Sequence, residues 1–300
     1  MLALPIAMTG ALAGCAWFQK PAPTPKPHYV LGGAYQAGGV WYYPHESFNA
    51  DETGLAGIEP DDHAALTTDG EVFDQAALAA AHQTLQLPAI ARVTNLENGR
   101  EVVVRINQRG PASPDRLIAV TRRTAELLGF TSAGVARVRL QVLDAESHAV
   151  ADPLRGAAGP TLAVAAAPRG EVSEVALALP AGAVQASRVR AAPSAPIAAS
   201  VDASQRNLPA VPARLPEIVT QTTPDPGALY VRMGSFSRRE FAERQRARAP
   251  GVNAAIERTR IGRSETYRVQ AGPFATVPEA DAALNAVIRA GIPDARIVVE

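Results

Sequence analysis

The sequence predicts a mostly β small barrel and an α+β, ferredoxin-like domain, joined by a disordered linker. Three observations predict it. Runs of β-branched residues, punctuated by turn residues, fill residues 50–143. Residues 225–300 repeat one unit twice, each copy opening on a strand followed by Gly-x-Phe. Residues 144–224 between them are rich in Ala, Pro, Val and Ser and nearly lack aromatics.

The elements follow in chain order. Residues 1–14 form an apolar run too short to span a bilayer, which needs about 18 residues or more. The run ends in Leu12-Ala13-Gly14-Cys15, and Cys15 is the sole cysteine, so no intrachain disulfide is possible. An apolar residue, two small residues and a cysteine form a lipobox, in which the thiol takes the diacylglycerol of a lipoprotein. The alternative is an ordinary secretory signal with an incidental cysteine. The run carries no Lys or Arg ahead of it, so translation is expected to start upstream. Ala16, where an Asp would retain a lipoprotein on the inner membrane, favours an outer-membrane anchor.

Residues 16–49 hold a stiff proline-rich spacer, Pro21-Ala22-Pro23-Thr24-Pro25-Lys26-Pro27, and an aromatic lead-in with Tyr35, Trp41, Tyr42, Tyr43 and Phe48. Within 50–143, strands are expected at 92–96 and 102–106. They are joined through Asn98-Gly99, which predicts a type I′ hairpin. A short helix over 121–130 has Thr121 to cap it and Gly129 to end it, and 135–143 reads as a further strand. About 90 residues of this pattern suit a small barrel. The linker 144–224 offers too little bulky apolar surface to offset the entropy of ordering, and would average roughly 50 Å end to end. In 225–300, strands at 229–233, 256–259, 266–271 and 295–299 alternate with helices at 237–248 and 278–290. The order is βαββαβ, which places both helices on one face of a four-stranded sheet.

Charge adds an exclusion. The 29 basic and 29 acidic residues cancel, so nothing in the balance calls for nucleic acid. His28, His45, His63 and His148 show no metal-ligand spacing, and neither metal nor cofactor is expected.

The residues also resemble known families. Tyr230-Val231-Arg232-Met233-Gly234-Ser235-Phe236 and Tyr267-Arg268-Val269-Gln270-Ala271-Gly272-Pro273-Phe274 resemble a SPOR domain, which implies binding to septal peptidoglycan stripped of stem peptides. Arg232 stands where that family often has Gln. The glycan-binding candidates are Tyr230, Arg232, Phe236, Tyr267, Arg268 and Phe274, on a sheet face that the helices leave bare.

Residues 50–143, with the aromatic lead-in, resemble the rare lipoprotein A family, whose double-psi β-barrel is a lytic transglycosylase. The resemblance is carried by Val40-Trp41-Tyr42-Tyr43-Pro44, Asp69-Gly70-Glu71-Val72-Phe73-Asp74, Ala80-Ala81-His82-Gln83-Thr84-Leu85-Gln86-Leu87-Pro88, Val93-Thr94-Asn95-Leu96-Glu97-Asn98-Gly99-Arg100 and Asn107-Gln108-Arg109-Gly110-Pro111. Lipobox, barrel, linker and SPOR domain in this order match that family's architecture.

The chemistry implied needs a carboxyl that protonates the leaving glycosidic oxygen and then takes the proton of the muramic acid 6-hydroxyl. That hydroxyl closes an anhydro ring through an oxocarbenium-like transition state. The family places Glu in an Asn-Gly-Glu motif and Asp in an Asn-Asp-Arg-Gly-Pro motif. The first is kept as Glu71; Gln108 occupies the second position, and an amide neither donates nor accepts that proton. The family's Ala-Ser-Trp-Tyr-Gly-like stretch becomes Ala56-Gly57-Ile58-Glu59-Pro60, without a ring, and its Ile-Asp-Leu-Ser becomes Ile118-Ala119-Val120-Thr121.

Supporting candidates are Asp74, to orient neighbours or cap a helix from about Gln75; His82, at the end of that helix; and Arg109, to hold the cleft wall or bind an acidic sugar substituent. Asp61, Asp62 and His63 read as a solvated loop. Two functions follow: an endolytic lytic transglycosylase on naked glycan, or a non-cleaving glycan-binding lipoprotein on a degenerate barrel. The expected partners are denuded glycan strands, a membrane through the lipid at Cys15, and divisome proteins at the septum.

Overall fold

The computed structural model describes residues 24–61, 65–155, 214–261 and 264–300. Cys15, His63 and linker residues 156–213 lie outside them. The N-terminal part forms β1 (Tyr35–Ala37), β2 (Val40–Tyr42), β3 (Asp51–Ile58), β4 (Ala79–His82), β5 (Ala89–Asn95), β6 (Arg100–Arg109), β7 (Ile118–Val120), α1 (Arg122–Leu128), β8 (Val135–Val142) and α2 (Asp144–Arg155). The C-terminal part forms β9 (Val219–Gln221), β10 (Leu229–Phe236), α3 (Arg239–Ala247), β11 (Ala254–Ile261), β12 (Ser264–Phe274), α4 (Val277–Arg289) and β13 (Arg296–Val299).

Six strands close into a barrel in the order β4-β7-β3-β8-β5-β6, with β4 pairing back to β6. Two of the pairings, β3–β7 and β4–β6, are parallel, and the others are antiparallel. Closure leaves no free edge in the ring. Ile106, Ile118, Leu128, Leu140 and Val104 fill the interior with no exposure. Alternation along β8, with Ala136, Val138, Leu140 and Val142 buried, is the period-two pattern that marks 135–143 as a strand. Thr121 caps α1 and Gly129 ends it at φ 77°, as the sequence predicts.

Four expectations are corrected. The β5–β6 connection is not a type I′ turn: Gly99 has positive φ, but Asn98 does not. Asn95 instead organises a longer loop, its side chain accepting from Glu97 N and its carbonyl from Gly99 N. Residues 144–155, assigned by composition to the disordered linker, form α2, which buries Ser147, Val150 and Ala151. Ser147 Oγ bonds both the amide and the carbonyl of Ile90, so this helix is sewn to β5. At the other end of that linker, β9 pairs with the first residues of β6, Arg100–Val102, which project beyond the stretch that β4 covers. The proline-rich spacer is tied to the barrel from Lys26: Lys26 N donates to Gly70 O, His28 N to Asp69 O, and Val30 and Leu87 exchange backbone bonds.

The C-terminal domain is βαββαβ, as predicted, with sheet order β11-β12-β10-β13 and every pairing antiparallel. Val231, Met233, Val269, Leu284 and Val287 form its core. A Thr276–Glu279 capping box starts α4. The linker composition predicts two independent bodies, but the domains touch. Leu55 of β3 is fully buried in the C-terminal core cluster. Thr53 Oγ1 donates to Val299 O at 2.8 Å and accepts from Val299 N at 3.2 Å. Arg116 pairs with Asp281 at 3.0 Å. No helix among the described residues is long and apolar enough to cross a membrane.

Candidate active site

Glu71 sits in a tight loop between β3 and β4. Thr67 N donates to Glu71 O, Gly70 N donates to Thr67 O, and the Leu66–Val72 bridge closes the base. Gly70 has φ 81°, and a Cβ there would strike the Lys26 carbonyl, so both conformation and space require glycine. The loop is strapped to β6. Asp69 N donates to Asn107 O at 3.3 Å. Gln108 Oε1 accepts from Thr68 N at 2.6 Å and from Thr68 Oγ1 at 2.7 Å, and Arg109 N donates to the same hydroxyl at 3.0 Å.

This strapping delivers Glu71 to two donors. Arg105 Nη2 meets Oε1 at 2.5 Å and Arg105 Nε meets Oε2 at 3.0 Å, while Asn107 Nδ2 donates to Oε2 at 3.0 Å. A two-pronged guanidinium grip fixes orientation as well as charge. The β4–β6 register slips between Ala80 and Ala81, leaving Asn107 as the extra residue. Such bulges re-aim side chains beside active sites. Here the bulge lets the consecutive residues Asn107 and Gln108 line one cavity.

Asp69, where the family motif has Asn, is fully buried. Its Oδ1 accepts from Thr67 Oγ1 at 2.6 Å and from Glu71 N at 3.3 Å. Burial, then the neighbouring Glu71, push its carboxyl up to about 6. Sequence reasoning missed Asp69 as a site residue, although its acid-for-amide change in the motif was the visible signal.

It also missed Glu59. This residue follows β3, its N–H donates to Val120 O at 2.8 Å, and its carbonyl accepts from Gln75 Nε2 at 3.0 Å. Glu59 is 6% exposed. It lines the same small cavity as Asn107 and Gln108, with Phe73, Ala79, Ala80, Ala81 and Thr121. Burial pushes its carboxyl up to about 7. The sequence signal was a glutamate at the end of an apolar strand, read only as the loss of a ring.

The supporting candidates fall differently from expectation. Asp74 caps a turn, not a helix: its carboxylate accepts from Ala76 N at 2.8 Å, and residues 75–78 never become helical. His82 ends strand β4 rather than a helix. Its Nδ1 accepts from the amides of Thr84 and Leu85, so the ring proton belongs on Nε2. Burial, then Arg109, push its pKa down to about 3. Arg109 holds the cleft wall, donating to the carbonyls of Leu85, His82, Gln83 and Leu31. Both terminal nitrogens of that guanidinium are engaged by backbone.

In the C-terminal domain the six glycan candidates divide. Arg232 and Arg268 lie on the face opposite the helices, where both clasp Glu300. Gln270 Nε2 joins them, donating to Glu300 Oε2 at 3.1 Å and to Glu257 Oε2 at 3.3 Å. Strand alternation puts Tyr230 on that face too, between core residues Leu229 and Val231. Phe236, Tyr267 and Phe274 instead pack against the hydrophobic core. No group of three or more His, Cys, Asp or Glu among the described residues is arranged to hold a metal.

A closed six-strand barrel with a gripped glutamate, carrying a βαββαβ domain, defines a class found among known proteins. The family described as lytic transglycolase matches residues 45–140, and the SPOR domain family matches residues 225–298. The endolytic peptidoglycan transglycosylase RlpA of Pseudomonas aeruginosa is 33% identical over 267 residues, which span 86% of this chain and 75% of that protein. The protein of that name from Rickettsia felis is 37% identical over 129 residues, 42% of this chain and 57% of its own. That from Neisseria meningitidis serogroup B is 43% identical over 91 residues, 30% of this chain and 38% of its own. The chain belongs to the RlpA family.

Proposed function

We propose that the protein is an endolytic lytic transglycosylase that cleaves peptidoglycan strands lacking stem peptides. The carrying observation is Glu71, held by Arg105 and Asn107 in a loop strapped to β6. A negative carboxylate held there stabilises an oxocarbenium-like transition state without reorganising during the reaction. The SPOR domain binds the same denuded glycan through Tyr230, Arg232 and Arg268 and gathers the protein at the division septum. Cys15 carries the lipid that anchors the chain, periplasm-facing, in the outer membrane, and divisome proteins are its neighbours there. The support for the anchor is the lone cysteine behind Leu12-Ala13-Gly14.

Digestion of purified naked glycan tests the activity, with mass spectrometry of the products. Anhydro-muramic ends are expected, and Glu71→Gln should slow their release by roughly 10²–10³. Binding without such ends would support the non-cleaving reading that Gln108 raises. Cys15→Ser should release the protein from membranes; a variant that stays membrane-bound with unchanged processing rules out the lipid anchor.

A further inference from the structure

We propose that the groove between the barrel and the SPOR domain is a carbohydrate subsite, which holds a glycan strand between the SPOR face and the barrel cleft. The inference rests on the naked-glycan reading above and adds a site that neither domain forms alone.

The β1–β2 hairpin builds the barrel wall of this groove. Burial alternates along it: Val40 and Tyr42 are buried, while Trp41 and Tyr43 are 52% and 64% exposed. Residues two apart on an extended chain share a face, and both rings line the groove. Among the described residues, Phe241 is the one other aromatic side chain so open to solvent. The platform beneath the rings is fixed. Tyr42 stacks on Tyr35 at 5.4 Å between ring centres. Gln83 Nε2 donates to Tyr42 Oη at 3.1 Å, to Pro111 O at 3.1 Å and to Arg116 O at 3.3 Å, which ties the hairpin to the loop before β7. Rings already held in place lose little freedom when a ligand lands on them.

The opposite wall is the start of β13 and the loop before it, with Pro293, Asp294 and Arg296. The space between the walls is about 340 Å³. Small-molecule sites run from roughly 300 to 1,000 Å³. The chemistry of the lining favours a sugar. The C–H face of a sugar ring is slightly positive and meets the negative face of an aromatic ring. Both arginines of the groove are already paired, Arg296 with Glu52 at 3.1 Å and Arg116 with Asp115 at 3.1 Å. Asp294 stands exposed beside them. Such a lining offers carboxylate oxygens to hydroxyl donors, and it lacks the surplus of cations that a phosphate or an acidic peptide would need.

The groove is also continuous with both glycan-facing sites. Arg296 lies opposite Arg232 in the β13–β10 register, so the two share the sheet face that carries Arg268 and Tyr230. On the barrel side, β4 sets Ala81 beside Gln108 and His82 beside Arg109, and His82, Gln83 and Thr84 run on into the groove. A strand that lies on the SPOR face thus reaches the barrel by way of Trp41 and Tyr43.

Trp41 can report on its own site. The chain has two tryptophans, Trp17 and Trp41, so Trp17→Phe in the full-length protein leaves Trp41 as the sole indole. Its emission is expected to shift to the blue, saturably, as purified naked glycan is added. The double variant Trp41→Ala/Tyr43→Ala should weaken binding of naked glycan about tenfold in calorimetry, with the melting temperature unchanged because both rings are exposed. Trp41→Phe keeps a ring and should lose less. A Trp41 emission that ignores naked glycan overturns the proposal, and decides it even if the double variant fails to fold. Full affinity in a folded double variant overturns it too. So does a shift produced by free stem peptide and not by naked glycan, which would make the groove a peptide site. Binding is read without cleavage, so the two readings fail separately. A wild type that releases no anhydro ends but shifts its Trp41 emission defeats the transglycosylase reading alone. A cleaving wild type with a silent Trp41 defeats the subsite alone.

Discussion

Arg105 grips both carboxylate oxygens of Glu71, with Nη2 on one at 2.5 Å and Nε on the other at 3.0 Å. Both side chains are largely withdrawn from solvent, at 12% and 19% exposure. A lysine cannot reproduce a two-pronged contact, because its ammonium is a single point of charge.

Arg105 is therefore expected to act as a positioning residue. Arg105→Ala leaves Glu71 held by Asn107 and frees it to swing, and a displacement of about 1 Å costs on the order of 100-fold in rate. The loss should fall on kcat, with KM little changed, since the sugar is held elsewhere. Arg105→Lys should recover part of the rate by restoring charge without the grip. Equal loss in both variants, or a loss confined to KM, would mean that Arg105 binds substrate instead.

The stability of the barrel should report the burial of Glu59. Its folded pKa, about 7, lies above the ordinary value of 4.5. Below about 4.5 the group is neutral in both states. Between 4.5 and 7 the unfolded chain ionises while the folded one does not, so stability falls as pH rises. The change over that window is on the order of 3 kcal/mol. Glu59→Gln removes this slope while leaving Asp69 to titrate in both proteins. Denaturant melts of the two proteins, subtracted at each pH, isolate the effect; a constant difference would show that Glu59 ionises freely in the fold.

Much of this was legible in the sequence, and the failures have physical reasons. The β8 alternation, the Thr121 and Gly129 caps, and the βαββαβ order are local signals, and the structure repeats them. Glu71 and Gln108 stand out in the sequence because their motifs carry them. Glu59 does not, since its burial depends on which wall of a closed barrel it enters from, and that is fixed by the long-range β3–β7 pairing. Helix α2 was hidden by composition: its buried residues are Ser147, Val150 and Ala151, which look like linker until Ile90 is opposite Ser147. Phe236 and Tyr267 looked like sugar platforms as aromatics, but the register shift after Arg232 turns Phe236 onto the core, and Tyr267 reaches it by alternating with Val269 along β12.

That division within the SPOR domain makes a prediction of its own. Arg232→Ala and Arg268→Ala should each weaken binding to denuded glycan with modest loss of stability, because either single variant leaves Glu300 with the other arginine and with Gln270. Phe236→Ala and Phe274→Ala should instead cost about 1–3 kcal/mol of stability, and spare binding wherever the domain remains folded. Pull-down on denuded sacculi beside thermal melts reads both properties. If the phenylalanine variants melt normally and fail to bind, the glycan face is the opposite one.

The contact between the domains makes the last prediction. Leu55 belongs to a barrel strand, yet its side chain is fully buried in the core cluster of the SPOR domain. Around it, Thr53 exchanges two hydrogen bonds with Val299, and Arg116 pairs with Asp281. Leu55→Asp would bury an unpaired charge, which the protein avoids most cheaply by parting the domains. The variant is expected to melt in two transitions where the wild type melts in one, and to gain radius in small-angle scattering. Asp281→Ala should weaken the contact less, since it leaves the burial of Leu55 and the two Thr53–Val299 hydrogen bonds in place. The barrel keeps its own core in either case, so cleavage of naked glycan should survive while recruitment of that activity by the SPOR domain changes. A Leu55→Asp protein with one transition and an unchanged radius would mean that the contact does not hold the two domains together in solution.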